Sequence, residues 1–291
     1  MQIIKPSYEI IEQLPGIQGM YDMIESAGRT CYKSEGNITL DVNGYSTTSE
    51  SFVNKLIEKE HYAMLEHGTV YLKMNGLRSH YDNNPYSKIN FQDGVMYITT
   101  NYRVIVENGW QDDLKFWCGP TQLHYKRYCV KLITDRGVTH EAVRQRKFSF
   151  AQESSRYCNY SKDKFSNEVT FVLPPWFSEY QPGKYTMEEV DDMLDIEQSE
   201  CTNNRNWCLF LSHCAATEQI YFALLRNGQT PQQARQVLNN ALKTELIMTG
   251  YAEDWQHFFD LRSTGTTGAP HPSIKELADP LYEEFKSRLY V

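Results

Sequence analysis

The sequence predicts an α+β fold in which a mixed sheet is flanked by helices, and three observations support this class. Candidate helices and strands are interspersed without the regular β-α-β rhythm of a doubly wound sheet. The GxGxxG motif of dinucleotide-binding Rossmann folds does not occur. No internal repeat or low-complexity linker divides the 291 residues, so we expect a single domain over residues 1–291.

The first elements are predicted from helical periodicity and capping signals. After strand-like opening residues, the segment GMYDMIESAGRTCYKSEG is periodic in the manner of a helix and should end at Gly36. Thr47 and Glu50 have the spacing of a capping box and precede apolar residues at helical spacing, which predicts a second helix.

Later elements follow from the same rules. We expect strands at TVYLKM (69–74) and GVMYITT (94–100), a helix over 121–137 that ends at Gly137, and a strand over 167–177 broken by Pro174 and Pro175. Thr186 and Glu189 should cap a long helical region that extends, with a break, to about Gly228, and Thr230, Pro231 and Gln233 should begin another helix. The chain then predicts a strand at 244–250 and helices at 252–262 and 273–290.

Bulk composition excludes several classes of function. A net charge of −8 and a pI near 5.5 argue against a general nucleic-acid binder, which needs a broad basic field. The seven cysteines form no CxxC pair, so neither a disulfide framework nor a zinc site is predicted. HYAMLEH places His61, Glu66 and His67 close together, but their spacing fits no familiar metal motif. No secretory signal or long apolar run is evident, so we expect a cytoplasmic protein without membrane or nucleic-acid partners.

The segment RQRKFSFAQESSRY, residues 144–157, is the strongest candidate for a binding site. If it is extended, Arg144 and Arg146 share one face, and Ser154 and Arg156 share a face by the same rule. Neighbouring like charges repel unless an anion lies between them, and guanidinium is well shaped to bind phosphate or carboxylate. Ordinary surface pairing with acidic residues is the commoner situation for any one arginine, and the sequence leaves both interpretations open.

This segment resembles the signature of the flavin-dependent thymidylate synthases, the ThyX family. The family pattern is Arg-His-Arg, seven residues and then Ser, usually followed by Arg-Tyr. Matching positions are Arg144, Arg146, Ser154, Arg156 and Tyr157. Gln145 stands where the family has histidine.

Further similar segments occur in family order over roughly residues 18–280. They are ESAGRTCYKSE, LEHGTVYLKM, TTNYRVI, QQARQVL and HFFDLR. The chain differs from the family after Arg262, where APHPSIKELA replaces the usual Ala-Gln-x-Glu-Ile. Tyr251 and Glu253 stand where many members carry an Asn and an Arg near the flavin.

The resemblance implies an enzyme of the ThyX fold that makes thymidylate from deoxyuridylate (dUMP). Methylenetetrahydrofolate would be the carbon donor, FAD the redox carrier and NADPH the reductant, in a homotetramer whose chains share active sites. The residues implied for the flavin are His67, Arg144, Gln145 and Arg146. Those implied for the nucleotide are Ser154, Arg156, Arg235 and Arg262, with Ser154 and Arg262 also assigned to catalysis.

Two alternatives remain open from the sequence. One is a sister enzyme, such as a hydroxymethylase, that transfers a one-carbon unit to another pyrimidine nucleotide. A catalytically weakened nucleotide-binding relative could follow from Gln145, because an amide lacks the titration and stacking of an imidazole. A nucleophilic role for Ser154 would require a base, and no histidine is nearby in sequence, so we expect Ser154 to bind and orient the substrate.

Overall fold

The computed structural model describes residues 1–196 and 203–291, and its interspersed helices and strands confirm the α+β class. The described strands are β1 (Gln2–Ile4), β2 (Ser7–Ile11), β3 (Thr69–Asn75), β4 (Lys88–Gln92), β5 (Val95–Asn101), β6 (Arg127–Asp135), β7 (Ser149–Gln152), β8 (Thr170–Val172), β9 (Gly183–Lys184) and β10 (Lys243–Tyr251). The described helices are α1 (Gly16–Tyr32), α2 (Ser49–Glu58), α3 (Tyr102–Glu107), α4 (Arg136–Ala142), α5 (Met187–Ile196), α6 (Asn203–Arg226), α7 (Pro231–Ala234), α8 (Ala252–Phe259) and α9 (Pro272–Ser287).

Three sheets organise these strands. The central sheet is antiparallel with the order β2-β6-β10-β7, and a second antiparallel sheet has the order β3-β5-β4. The third sheet, β8-β1-β9, is mixed, because β1 pairs in parallel with β8 and antiparallel with β9. The expected mixed pairing is thus found in this small sheet, while the central sheet is antiparallel.

Strand β10 is buried on both faces, although its apolar run is limited to Leu246, Ile247 and Met248. Successive side chains of a strand point to opposite faces. Leu246 and Met248 pack with the aromatic residues of α8 and α9. Ile247, on the other face, packs against Met23 and Ala27 of α1. The strand predicted at 244–250 is therefore confirmed, and it forms the centre of the fold.

The helix predicted over 121–137 is wrong, because most of this segment forms strand β6. β6 pairs with β2 on one side and with β10 on the other, so its backbone groups are satisfied by neighbouring strands rather than within a helix.

Helix α4 begins at Arg136, where the end of a helix was expected. Its N-cap is Asp135, whose side chain accepts from the Val138 amide at 2.7 Å. A Cβ at Gly137 would lie 3.1 Å from Asp135 Oδ1, so the glycine leaves room for this cap.

The first two helices form with different ends from those expected. α1 stops at Tyr32, and Lys33, in the left-handed region at φ 49°, terminates it in place of Gly36. The capping box of Thr47 does not form, because Thr48 is the N-cap of α2 and the Thr47 amide donates to the Thr39 carbonyl.

The two later capping predictions are confirmed. The Glu189 carboxylate accepts from the Thr186 amide at 2.7 Å, and the Gln233 side chain accepts from the Thr230 amide at 2.9 Å. The long helical region is resolved into α5 and α6, while residues 197–202 between them, with Cys201, lie outside the described residues.

Helix α6 contains the one stretch in the described residues, Asn204–Arg226, that is long and apolar enough to cross a membrane by length and composition alone. Sequence inspection did not anticipate it. Trp207, Leu211 and Tyr221 on this helix are buried in a core cluster with Ile3 and Phe171. Its apolar face therefore packs against β1 and β8.

Candidate active site

The signature segment folds as two turns joined by a short strand. Val143–Phe148 is a turn after α4, β7 follows, and Ser154–Tyr157 forms a second turn in which the Tyr157 and Cys158 amides donate to the Ser154 carbonyl. The extended conformation considered for residues 144–157 is found only at 149–152. The strand ends there because Ser154 donates its amide to the Cys31 carbonyl of α1, at 2.9 Å, instead of to a strand.

The polar side chains of the first turn differ in how far they are buried. Arg144 and Arg146 are exposed, whereas Gln145 between them is only 9% exposed. The turn thus gives the alternation that was expected of a strand. Among the residues that the structure describes, neither arginine forms an ion pair with a carboxylate.

A cleft of about 380 Å³ lies beside the first turn. Its basic lining residues are Lys88, Arg127, Arg146 and Lys147, and its acidic ones are Glu66, Glu253 and Asp254. Lys88 pairs with Glu253, and Lys147 lies 3.7 Å from Asp254, so the acidic groups offset the lysines. Arg146 is left without an acidic partner within the described chain.

Arg127 belongs to this cleft although sequence reasoning did not single it out. Its guanidinium donates to the Glu66 carbonyl at 3.0 Å and to Thr69 Oγ1 at 3.2 Å. It lies opposite Tyr251 in the β6–β10 register, with Cζ 5.6 Å from the centre of that ring. Arg127 is the first residue of strand β6. The sequence predicted a helix over this segment, so it gave no signal for Arg127.

Tyr251 and Glu253, which replace residues that many ThyX members place near the flavin, also line this cleft. The Tyr251 hydroxyl donates to the Thr99 and Tyr86 carbonyls, and Lys88 Nζ lies 4.2 Å from the centre of its ring. Burial raises the Tyr251 pKa, so the phenol stays neutral. At these positions the chain presents an aromatic wall and a lysine paired with Glu253.

His67 lies behind the cleft and is fully buried. Its Nδ1 is 2.8 Å from Thr249 Oγ1 of β10, while its Nε2 has no hydrogen-bond partner in the described residues. Burial, followed by the charge of Arg127, lowers the His67 pKa to about 3. The imidazole is thus neutral at physiological pH, and the predicted contact of His67 with a flavin stays a prediction.

This burial has a consequence for the pH dependence of stability. Between pH 6.5 and about 3 the unfolded chain binds a proton at His67 that the folded chain does not. The free energy of unfolding should therefore fall as the pH falls through this window, by up to about 1.4 kcal/mol per pH unit from this residue. In urea titrations at pH 7, 6 and 5, the free energy of unfolding should fall less with decreasing pH for His67→Gln than for the parent.

The exposed His213 provides the matched control. His213→Gln makes the same replacement at an exposed position and shows how much of the change in pH dependence follows from loss of a histidine alone. If the free energy of unfolding has the same pH dependence in His67→Gln as in the parent, a neutral buried imidazole at position 67 is contradicted.

The second turn gathers three of the four residues assigned to the nucleotide. Ser154 is half-buried and Arg156 is exposed, with Arg156 Nε donating to Gln232 Oε1 of α7 at 3.3 Å. Arg235, which follows α7, donates to Ser155 Oγ at 3.4 Å. Neither Arg156 nor Arg235 forms an ion pair in the part of the chain that the structure describes.

Arg262 is held elsewhere. It lies in the π-helical turn after α8, and its guanidinium is 3.3 Å from Glu141 Oε2 and 3.4 Å from the Glu141 carbonyl of α4. The structure records no contact between Arg262 and Ser154, Arg156 or Arg235. Of the five arginines assigned to ligands, Arg262 is the one with an acidic partner in the described residues.

An apolar cavity of about 430 Å³ lies next to the second turn. It is lined by α1, α2 and the segment before β3, and its ring-bearing residues are Tyr32, Phe52, His61 and Tyr62. Tyr32 also contacts Tyr157 of the signature, with ring centres 5.0 Å apart. Sequence reasoning set His61 aside and used Phe52 only as an apolar position of the second helix.

Comparison with known proteins gives consistent names. The family model described as "Thymidylate synthase complementing protein" matches residues 123–289. A flavin-dependent thymidylate synthase of Corynebacterium aurimucosum is 24% identical over 250 residues, covering 83% of this chain and 67% of the relative. The one from Corynebacterium diphtheriae is 24% identical over 274 residues, covering 91% of this chain and 79% of the relative.

Solved structures with a similar arrangement include a UMP/dUMP methylase, PolB, from Streptomyces cacaoi bound with 5-Br dUMP. The alignment has a TM-score of 0.43 and 14% sequence identity, and it covers 99% of this chain and 93% of that chain.

Proposed function

Because the chain belongs to the thymidylate synthase complementing protein family, whose model matches residues 123–289, we propose that it is a flavin-dependent thymidylate synthase. It would convert dUMP to thymidylate as one domain in a homotetramer in the cytoplasm. Methylenetetrahydrofolate and NADPH would be co-substrates. Bound FAD, once reduced by NADPH, would supply the hydride that activates the uracil and that turns the transferred methylene carbon into a methyl group, with tetrahydrofolate as the leaving group.

The observation that carries this proposal is a set of arginines without acidic partners at both turns of the signature. Arg144, Arg146, Arg156 and Arg235 form no ion pair within the described residues, in a protein with 37 acidic side chains. Surface arginines kept apart from carboxylates are suited to bind anionic ligands bidentately. FAD and dUMP both present phosphate groups, so the residues fit the ligands that the proposal requires.

The two turns would serve different ligands. At the first turn, Arg144 and Arg146 would hold the flavin phosphates, with Gln145 and His67 in supporting positions. At the second turn, Arg156 and Arg235 would hold the nucleotide phosphate and Ser154 would hydrogen-bond the substrate. The adjacent apolar cavity, with Tyr32 at its edge, has the lining expected for a planar ring.

Ser154 is proposed as a binding and orienting residue rather than a nucleophile. In the described residues no hydrogen bond connects its hydroxyl to a histidine or carboxylate that could act as a base. Arg262, assigned to the nucleotide and to catalysis by resemblance, would need to leave Glu141 or to bridge Glu141 and the substrate. Its assignment remains a proposal.

A shared active site accounts for the separation of the turns. The cleft at the first turn is lined by Arg146 and not by Ser154, Arg156 or Arg235. Exposed arginines of one chain could therefore complete the pocket of another, as in the homotetramer that the family resemblance implies. Analytical ultracentrifugation with and without FAD measures the oligomeric state that such sharing requires.

The deciding experiment is the visible absorption spectrum of the purified protein, followed by addition of NADPH, dUMP and methylenetetrahydrofolate. A flavin band that bleaches with NADPH, with thymidylate as product by mass, is the expected result. A protein that gains no flavin band with excess FAD would refute the proposal. If another pyrimidine nucleotide replaces dUMP, a product heavier than that nucleotide by one carbon, two hydrogens and one oxygen would identify a hydroxymethylase instead.

Gln145→His tests whether the missing signature histidine limits turnover. Gln145 is nearly buried between two exposed arginines, so the exchange for a side chain of similar volume should change stability little. We expect turnover to rise, because an imidazole can stack on a ring and share a proton where an amide cannot. The comparison is turnover at saturating ligands. Equal rates for the two proteins would show that position 145 is not limiting.

A further inference from the structure

A network of charged side chains lies beneath the second turn of the signature. At its centre Glu245 of β10 forms ion pairs with Lys243 at 2.5 Å, with Lys131 of β6 at 2.6 Å and with Lys33 at the end of α1. The Glu245 side chain is only 5% exposed. Burial by itself would raise the Glu245 pKa, but Lys243 and the other two lysines lower it to about 2. Glu245 is therefore ionised throughout the physiological range.

The network reaches the signature through Glu153. One carboxylate oxygen of Glu153 is 2.9 Å from Lys243 Nζ, and the other accepts from the Tyr160 hydroxyl at 3.2 Å. Its backbone amide donates to the Glu245 carbonyl at 2.8 Å. Glu153 thus fixes the start of the second turn, and Tyr160 closes the loop that follows it.

The same network also fixes the surface against which the turn packs. The Ser154 amide donates to the Cys31 carbonyl in the last turn of α1. Lys33, two residues beyond Cys31, is bonded to Glu245. Glu245 is therefore linked to both partners of the Cys31–Ser154 hydrogen bond, through Lys33 on one side and through Lys243 and Glu153 on the other.

We propose that Glu153, Lys243 and Glu245 form a clamp that positions the second turn, and with it Ser154 and Arg156, for nucleotide binding. This inference rests on the proposed function for the identity of the ligand. The three residues are positioning residues, because Lys243 pairs with both Glu153 and Glu245 and their side chains hold the backbone on which Ser154 and Arg156 stand. Loss of one member leaves a buried charge partly unpaired and frees the turn.

Glu153→Ala tests the clamp. We expect the variant to bind dUMP about tenfold more weakly than the parent by calorimetric titration, while FAD affinity is unchanged. Hydrogen exchange without ligand should accelerate about tenfold in a peptide spanning residues 153–160, since the amides of Ser154, Tyr157 and Cys158 lose their fixed partners. Glu153→Gln keeps one acceptor oxygen and the side-chain volume. It should bind dUMP more tightly and exchange more slowly than Glu153→Ala, and it provides the comparison if the alanine variant does not fold.

Glu35→Gln is the matched control. Glu35 lies 3.3 Å from Lys33 and 3.9 Å from Lys131, so it belongs to the same group of charges, but it has no contact with Glu153. Its replacement should leave both dUMP affinity and exchange of the 153–160 peptide unchanged.

Each outcome decides the proposal. Parent-like exchange in Glu153→Ala overturns the clamp, and so does an equal loss of affinity in Glu35→Gln. Faster exchange in Glu153→Ala together with parent affinity for dUMP shows that the turn is anchored but not positioned for the nucleotide, which also overturns it. If the parent binds no dUMP, the proposed function fails, while selective acceleration in Glu153→Ala still supports an anchored turn.

Discussion

Alanine at Arg156 or at Arg235 should weaken dUMP binding about ten- to hundredfold while FAD stays bound. Each change removes a charge-assisted contact of about 1.5–3 kcal/mol. The two arginines converge on the second turn, where Arg156 contacts Gln232 and Arg235 contacts Ser155. Ser154→Ala should cost less, about 1 kcal/mol, because only a neutral hydrogen bond is lost. Calorimetric titration of dUMP into the three variants measures these differences.

Arg288→Ala is the control for removal of a positive charge. Arg288 is paired with Glu284 and Glu12, away from the signature, so its loss should not change dUMP affinity. Parent affinity in both Arg156→Ala and Arg235→Ala would contradict their role in binding. Complete loss of turnover in Ser154→Ala with intact binding would favour a nucleophilic serine.

Trp255→Ala should give the largest loss of stability, about 3–5 kcal/mol, because it removes a fully buried indole. Trp255 of α8 packs edge-on against Phe148 of the signature, with ring centres 4.8 Å apart, and its Nε1 donates to the Tyr128 carbonyl at 3.1 Å. Phe148 lines the cleft at the first turn. We therefore expect weaker flavin binding as well as a lower midpoint in urea.

Trp176→Ala is the control for Trp255→Ala, because it removes an indole that is not packed in the core. Trp176 is 53% exposed, so its replacement should change the free energy of unfolding by less than about 1 kcal/mol. Equal midpoints for Trp255→Ala and the parent would contradict the packing described for α8. A destabilised Trp255→Ala with parent flavin affinity would show that Phe148 is held in place by its other neighbours.

Close packing under Phe148 also depends on Gly250 of β10. A Cβ at this position would lie 2.7 Å from two atoms of the Phe148 ring. The signature turn can approach the central strand only because this residue lacks a side chain. No local sequence rule connects position 148 to position 250, since the contact arises from the pairing of β7 with β10.

Elements with strong local signals were predictable from the sequence. The capping pairs at Thr186 and Thr230 formed as expected, because both partners lie within one helical turn. The strand at 244–250 was predicted correctly, although its apolar run covers only residues 246–248. The segment 121–137 was not, because its periodicity is ambiguous and pairing with β2 and β10 decides that it is a strand.

The sequence by itself identified the arginines and the serine of residues 144–157 as the centre of a candidate anion site, but not Arg127. The spacing of arginines and serine over 144–157 indicated the family, and the family model that matches residues 123–289 confirms it. The same spacing could not determine the conformation of the segment, since alternation of side chains is compatible with both a strand and a turn.

Only the tertiary structure decided which arginines have acidic partners in the described chain. Arg262 is bonded to Glu141, a residue 121 positions away, whereas Arg144, Arg146, Arg156 and Arg235 have no such partner there. The physical reason is that an ion pair requires two charges within about 4 Å. That distance is set by how α4, α7 and the turn after α8 pack around the central sheet, and nothing in the local sequence of either partner encodes it.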